Sequence, residues 1–166
     1  MAQKTKSPAG LGARRDRTVQ EHQHDTYKLR RKLKEPTVCS ECRAFFHKGR
    51  WTWGPAPTNA IGIVCPACLR VRDKYPKGLV TIKGEGTGEQ HEQVIGLVKN
   101  TEEIENKEHP LARIMSIETK PEGLVISTTD THLPRRIGEA LKHAYHGDLE
   151  LHYDKAEDFV RVTWTR

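Results

Sequence analysis

Two pairs of cysteines carry the strongest chemical signal in the chain: Cys39-Ser40-Glu41-Cys42 and Cys65-Pro66-Ala67-Cys68, separated by 22 residues. Thiolates are soft anionic ligands, and two CxxC loops supply four of them, enough to close a tetrahedral shell around Zn²⁺ at about 2.3 Å per bond with no position left for a substrate. Such a site is structural. The competing uses are two disulfides, which a cytosolic chain disfavours, and a thioredoxin-like redox pair, which needs one CxxC rather than two. The spacing therefore assigns Cys39, Cys42, Cys65 and Cys68 to a single structural zinc ion.

Four thiolates leave a zinc site with a formal charge of −2, and Arg43, Lys48, Arg70 and Arg72 lie close to the ligands in sequence. Part of that charge offsets the cluster. The remainder joins a strong asymmetry: the whole chain carries +6, whereas residues 1–34 alone carry +7 and residues 35–78 carry +4. A polyanion-binding surface is expected there, formed by Arg14, Arg15, Arg17, Lys28, Arg30, Arg31, Lys32, Arg43, Lys48, Arg50 and Arg70. Trp51 beside Arg50 sets an aromatic face against a guanidinium, the mixture used by binders of unpaired RNA. For Trp51 the alternative is a place in the small core of the cysteine module; Trp53 is expected in that core. For the tail the alternative is a solvated basic extension.

These side chains need elements to hold them. At 166 residues, with 35% hydrophobic and 6% aromatic residues, the chain has room for one ordinary domain or two small ones and is too lean for a large enzyme fold. Residues 1–34 read as a basic tail, largely disordered, with a short helix in Thr26–Leu33 that ends at Glu35-Pro36. Residues 35–84 read as the zinc module: knuckle, hairpin with turns at Gly49 and Gly54, knuckle, helix, and a closing strand at 79–83. Residues 85–110 form a loop and an acidic amphipathic helix of about five turns, with Thr87 as its N-cap. Residues 111–166 read as a ββαββ unit, with strands at 112–119, 124–129, 149–153 and 159–164. Its helix is capped by Asp130 or Thr131 and ends at Gly147. A unit this small is marginal alone and should pack on the acidic helix or on a partner. The fold class is α+β.

At CSECRAFFHKGRW and CPACLRVRD the chain resembles the zinc-binding module of the ribosomal large-subunit export adaptors, the family once linked to nonsense-mediated decay, in a short bacterial form. The resemblance covers residues 37–75. It implies a treble-clef or zinc-ribbon fold, Cys39, Cys42, Cys65 and Cys68 as ligands, and engagement of the large ribosomal subunit.

Other motifs carry less. Gly84-Glu85-Gly86-Thr87-Gly88 lacks the third glycine of a dinucleotide fingerprint and any following Gly-Lys-Ser/Thr, so it reads as a linker. No nucleophile and base are paired, and no small-molecule substrate is evident, so no enzyme is expected. With no apolar run near the ~18 residues of a membrane span and no secretory leader in its first residues, the chain is expected to be cytoplasmic. The leading expectation is a zinc-dependent rRNA-binding protein docking on the ribosome, acting in translation control, hibernation under stress or subunit maturation. Its acidic and C-terminal half is free for a protein partner. The alternatives are a zinc-ribbon DNA-binding or transcription adaptor and a thiol redox sensor that releases zinc.

Overall fold

The computed structural model describes residues 25–29, 31–84 and 88–166, which form two sheets and three helices. The first sheet holds β1 (Thr37–Cys39), β2 (Phe45–His47), β3 (Arg50–Thr52) and β4 (Ile61–Ile63) in the order β3-β2-β1-β4, with β1 and β4 parallel. Lys48 and Gly49 turn the β2–β3 hairpin with φ of 49° and 78°, the paired positive values that match a two-residue turn to the twist of its strands. The Glu35 carboxylate fixes that turn by accepting the Lys48 and Gly49 amides at 2.9 and 3.0 Å. Helix α1 (Pro66–Asp73) follows β4.

The second sheet contains β5 (Gly78–Lys83), β6 (Ile114–Lys120), β7 (Gly123–Thr128), β8 (Asp148–Asp154) and β9 (Phe159–Thr165), ordered β6-β7-β5-β9-β8. Two helices complete this part, α2 (Gly88–Glu108) and α3 (His132–Tyr145). Alternation along the strands sends Val80, Ile82, Leu124, Ile126, Val160, Val162 and Trp164 to one face. Val94 and Val98 of α2 and Leu133, Ile137 and Leu141 of α3, spaced by helical turns, bury that face. Asp130 caps α3 by accepting the amides of His132 and Leu133, both at 3.2 Å, whereas the Thr131 side chain makes no capping bond.

Two expectations are corrected here. The strand at 79–83 exists, but it does not close the cysteine module: β5 is the central strand of the second sheet, antiparallel to β7 and parallel to β9. Its alternating Val80 and Ile82 need a helical layer to cover them, and α2 and α3 supply it. The hairpins β6–β7 and β8–β9 therefore flank a strand contributed from outside residues 111–166. The short helix in 26–33 is also absent among the described residues. A turn stands there instead, in which the Asp25 carboxylate accepts the Tyr27 amide at 3.1 Å and the Asp25 carbonyl accepts the Lys28 amide at 2.9 Å. Local side-chain bonding of this kind outcompetes the first helical turn. The Thr87 cap and residues 1–24 of the expected tail lie outside the described residues. Among the described residues, no helix is long and apolar enough to cross a membrane.

Candidate metal centre

Each cysteine pair is placed by its own local structure. Cys39 ends β1, and the chain then folds back on it: the Arg43 amide reaches the Cys39 carbonyl at 3.1 Å while the Cys39 amide reaches the Ala44 carbonyl at 2.7 Å. Arg43 sits at the tight corner with φ of 68°, a left-handed conformation costing about 1 kcal/mol for a side chain other than glycine. The second pair opens a helix. Cys65 is the N-cap of α1, Pro66 takes the first turn, where its missing N–H costs nothing, and the Cys68 amide donates to the Cys65 sulfur at 3.4 Å. Both loops thus aim amide N–H groups at sulfur. The Cys39 sulfur also accepts the amides of Cys42 at 3.5 Å and Cys65 at 3.3 Å.

The four sulfurs lie within 4.8 Å of one another, and all four thiols are free. Two edges of this cluster, Cys39 Sγ to Cys68 Sγ and Cys42 Sγ to Cys65 Sγ, measure 3.8 Å. A tetrahedron with metal–sulfur bonds of about 2.3 Å has edges of about 3.8 Å, so the donor set fits a four-thiolate ion. Cys39 and Cys65 are wholly buried and Cys68 nearly so.

The electrostatics favour a cation at the centre. Burial opposes ionisation of Cys39, but the amides of Cys42 and Cys65 outweigh it and hold the thiol at about 6. Burial pushes the Cys65 thiol well up, and burial pushes Cys68 to about 11 despite the hydrogen bond from Arg113. Four neighbouring negative charges resist forming together, and a coordinated metal ion removes that resistance by deprotonating its ligands.

Arg113, which the sequence reading missed, supplies the nearest compensating charge. Its guanidinium donates to Cys68 Sγ at 3.4 Å and approaches Cys65 Sγ at 4.0 Å, while its Nε holds the Pro110 carbonyl at 2.9 Å. Burial works against its charge, yet hydrogen bonds and the charges of Cys42 and Cys68 raise its pKa further. The one sequence signal was a lone cation in the apolar run Leu111–Met115, 45 residues beyond Cys68.

The expected polyanion-binding residues separate into groups. Arg14, Arg15, Arg17 and Arg30 lie outside the described residues. Lys28, Arg31, Lys32, Arg43, Lys48 and Arg50 are exposed, with Lys48 at the hairpin turn and Arg50 opposite His47 on β3. Arg70 is not part of that surface. It is 4% exposed, pairs with Asp25 at 2.5 Å, donates to the Tyr75 carbonyl at 3.2 Å, and lies 4.5 Å from the centre of the Tyr27 ring. Asp25 pairs also with Lys77 at 2.8 Å, and Lys77 with Asp158 at 2.8 Å, so this network ties α1 to the β8–β9 turn. Arg72 faces Glu41 and Asp73 at 3.8 Å rather than the sulfurs.

Of the two tryptophans, Trp51 takes the second of the places open to it, beside the cysteine module's core, and Trp53 departs from its expected place. Trp51 is half-buried, edge-on to Phe46 with ring centres 5.7 Å apart, and packs against the cysteine cluster. Trp53 is 37% exposed, and its indole N–H reaches the Asn106 carbonyl near the end of α2 at 2.6 Å. It bridges the two sheets' modules instead of filling a core.

No protein-family model matches the chain, and comparison with curated proteins and with solved structures likewise finds no match.

Proposed function

We propose that the protein is a zinc-dependent RNA-binding protein that docks on ribosomal RNA of the large subunit and acts in translational control. In this reading residues 37–75 are a treble-clef module, the β6–β7–α3–β8–β9 run is its ββαββ partner, and Cys39, Cys42, Cys65 and Cys68 hold Zn²⁺. The ion supplies folding energy and no reaction step, because its four protein ligands leave no open position. The observation that carries the reading is the four-sulfur cluster with tetrahedral spacing, set beside exposed cations at Lys28, Arg31, Lys32, Arg43, Lys48 and Arg50. The resemblance of the two cysteine motifs to the large-subunit export adaptors supplies the ribosome as the RNA's source.

The test is sedimentation of the tagged protein through a sucrose gradient with ribosomal particles. The protein should travel with the large subunit in low salt and return to the top of the gradient as salt rises, since phosphate contacts release counterions. Failure to enter any ribosomal fraction in low salt would refute the docking.

A further inference from the structure

A groove of about 950 Å³ runs between the cysteine module and the second sheet. This is at the upper end of the roughly 300–1,000 Å³ found for small-molecule sites, large enough for a few unpaired nucleotides and too small for a duplex. Phe46 and Trp51 of the hairpin line one wall. Leu151 and Tyr153 on the edge strand β8 line another, and they are 49% and 44% exposed. Arg31 and Lys32, both exposed, contribute the cations.

The acids that reach this groove are already engaged. Asp25 is held by Arg70 and Lys77, Asp158 by Lys77 and the Tyr153 hydroxyl, and Asp130 by the two amides it caps. What remains facing the space is positive charge, the rings of Phe46, Trp51 and Tyr153, and aliphatic surface that includes Leu29, Leu33 and Leu111. That combination is complementary to a phosphodiester strand with unstacked bases, since bases stack on rings while phosphates meet cations. Lys28, Arg31 and Lys32, from the strongly basic first 34 residues, are among the residues that line it.

We propose that this groove is the RNA site: it takes a short single-stranded segment, with phosphates on Arg31 and Lys32 and bases against Trp51 and Tyr153. The proposal rests on the RNA-binding reading above and locates it between the modules, where Gly49 of the hairpin turn also lines the space. Tyr153 is pre-set for stacking, because its hydroxyl bond to Asp158 fixes the ring beside the groove.

The test uses the full metal-loaded chain and a fluorescein-labelled single-stranded RNA of mixed sequence carrying a photoreactive uridine, read by anisotropy and by mapping the crosslink. Lys32→Glu, which removes a phosphate contact, and Leu151→Glu, which sets a negative charge into the groove wall against the phosphates, should each weaken binding by about tenfold or more. Arg161→Glu serves as the control, because Arg161 projects from β9 between the buried Val160 and Val162 and so faces away from the groove. It should have a much smaller effect, and the crosslink should map to Trp51 or Tyr153. Lys32 lies outside every helix and strand, so Lys32→Glu keeps the test valid even if Leu151→Glu disturbs the edge strand. If the wild type binds RNA and the groove variants bind no worse than Arg161→Glu, the groove assignment is overturned while RNA binding stands. If the wild type binds no RNA, both fall. Displacement of the probe by an acidic peptide as readily as by unlabelled RNA would overturn the assignment in favour of a protein ligand.

Discussion

Replacing Arg113 with methionine should loosen the metal without unfolding the sheet that carries it. Methionine keeps an unbranched stem of similar length, so the apolar packing of the side chain is largely preserved. Of the two contacts to sulfur, the one to Cys68 at 3.4 Å is a hydrogen bond of ordinary length and the one to Cys65 at 4.0 Å is at the limit. One hydrogen bond to a charged group is therefore lost, worth about 1.5–3 kcal/mol. The Pro110 carbonyl that Arg113 Nε releases still accepts from Asn106 at 3.2 Å, and the Arg113 amide still donates to Thr129 at 3.0 Å, so no further penalty accrues. Metal affinity should fall about 10- to 100-fold, the range typical of groups that support metal ligands. Competition against a chromogenic chelator reads this directly, and Arg113→Lys, which keeps the charge but has one donor centre, should fall between. Retention of metal by Arg113→Met equal to wild type would refute the argument that Arg113 stabilises the thiolate cluster.

Asp25 gives the protein an acid-sensitive clamp. Burial opposes its ionisation, but the Lys77 hydrogen bond, the Tyr27 amide and the charges of Arg70 and Lys77 prevail and lower its pKa below 3.8. A group whose folded pKa is depressed contributes stability above its unfolded pKa and loses it as pH falls through the folded value, so this contribution should vanish on the acid side of the ordinary carboxylate range. Asp25→Asn should cost about 3 kcal/mol near neutrality by leaving the buried Arg70 charge unpaired, and should flatten the acid limb of a stability–pH curve; an unchanged limb would count against the clamp. Gly123, with φ of 137°, would place a Cβ 1.9 Å from the Ile82 carbonyl oxygen. Gly123→Ala should therefore strain the contact between β7 and β5 and lower the melting temperature by roughly 10 °C, about 3 kcal/mol in a chain of this size. Trp51→Ala should cost about 3 kcal/mol, the lower end for loss of a packed ring because Trp51 is half-buried, and should reduce retained metal measured after dialysis.

What the sequence revealed was local, and what it concealed was non-local. The CxxC pairs declare themselves because ligand spacing is set within a single turn, and α3 does so because Leu133, Ile137 and Leu141 repeat at helical intervals. The four C-terminal strands were placed by alternation and by turn residues at their ends. Alternation names which side chains face inward, but not the neighbouring strands. LVTIK was therefore recognised as a strand and assigned to the wrong sheet. Arg70 reads as one cation in a basic helix, and only the return of Asp25 and Tyr27 from 45 and 43 positions upstream buries it. Trp51 and Trp53 share strand parity, yet they part because Phe46 stands opposite Trp51 in the register while Trp53 passes the end of β3 and meets α2. Arg113 belonged to no motif at all; its proximity to sulfur comes from the docking of one module on the other.

The most direct test of the metal centre is the zinc content of the purified full-length chain, determined by elemental analysis beside that of Cys65→Ser. One zinc per chain in the wild type, and well below one in Cys65→Ser with loosening of residues 37–73, is the predicted result, because binding energy at a four-thiolate site is folding energy. A folded wild-type chain that contains no zinc and offers four thiols to a thiol reagent would contradict it.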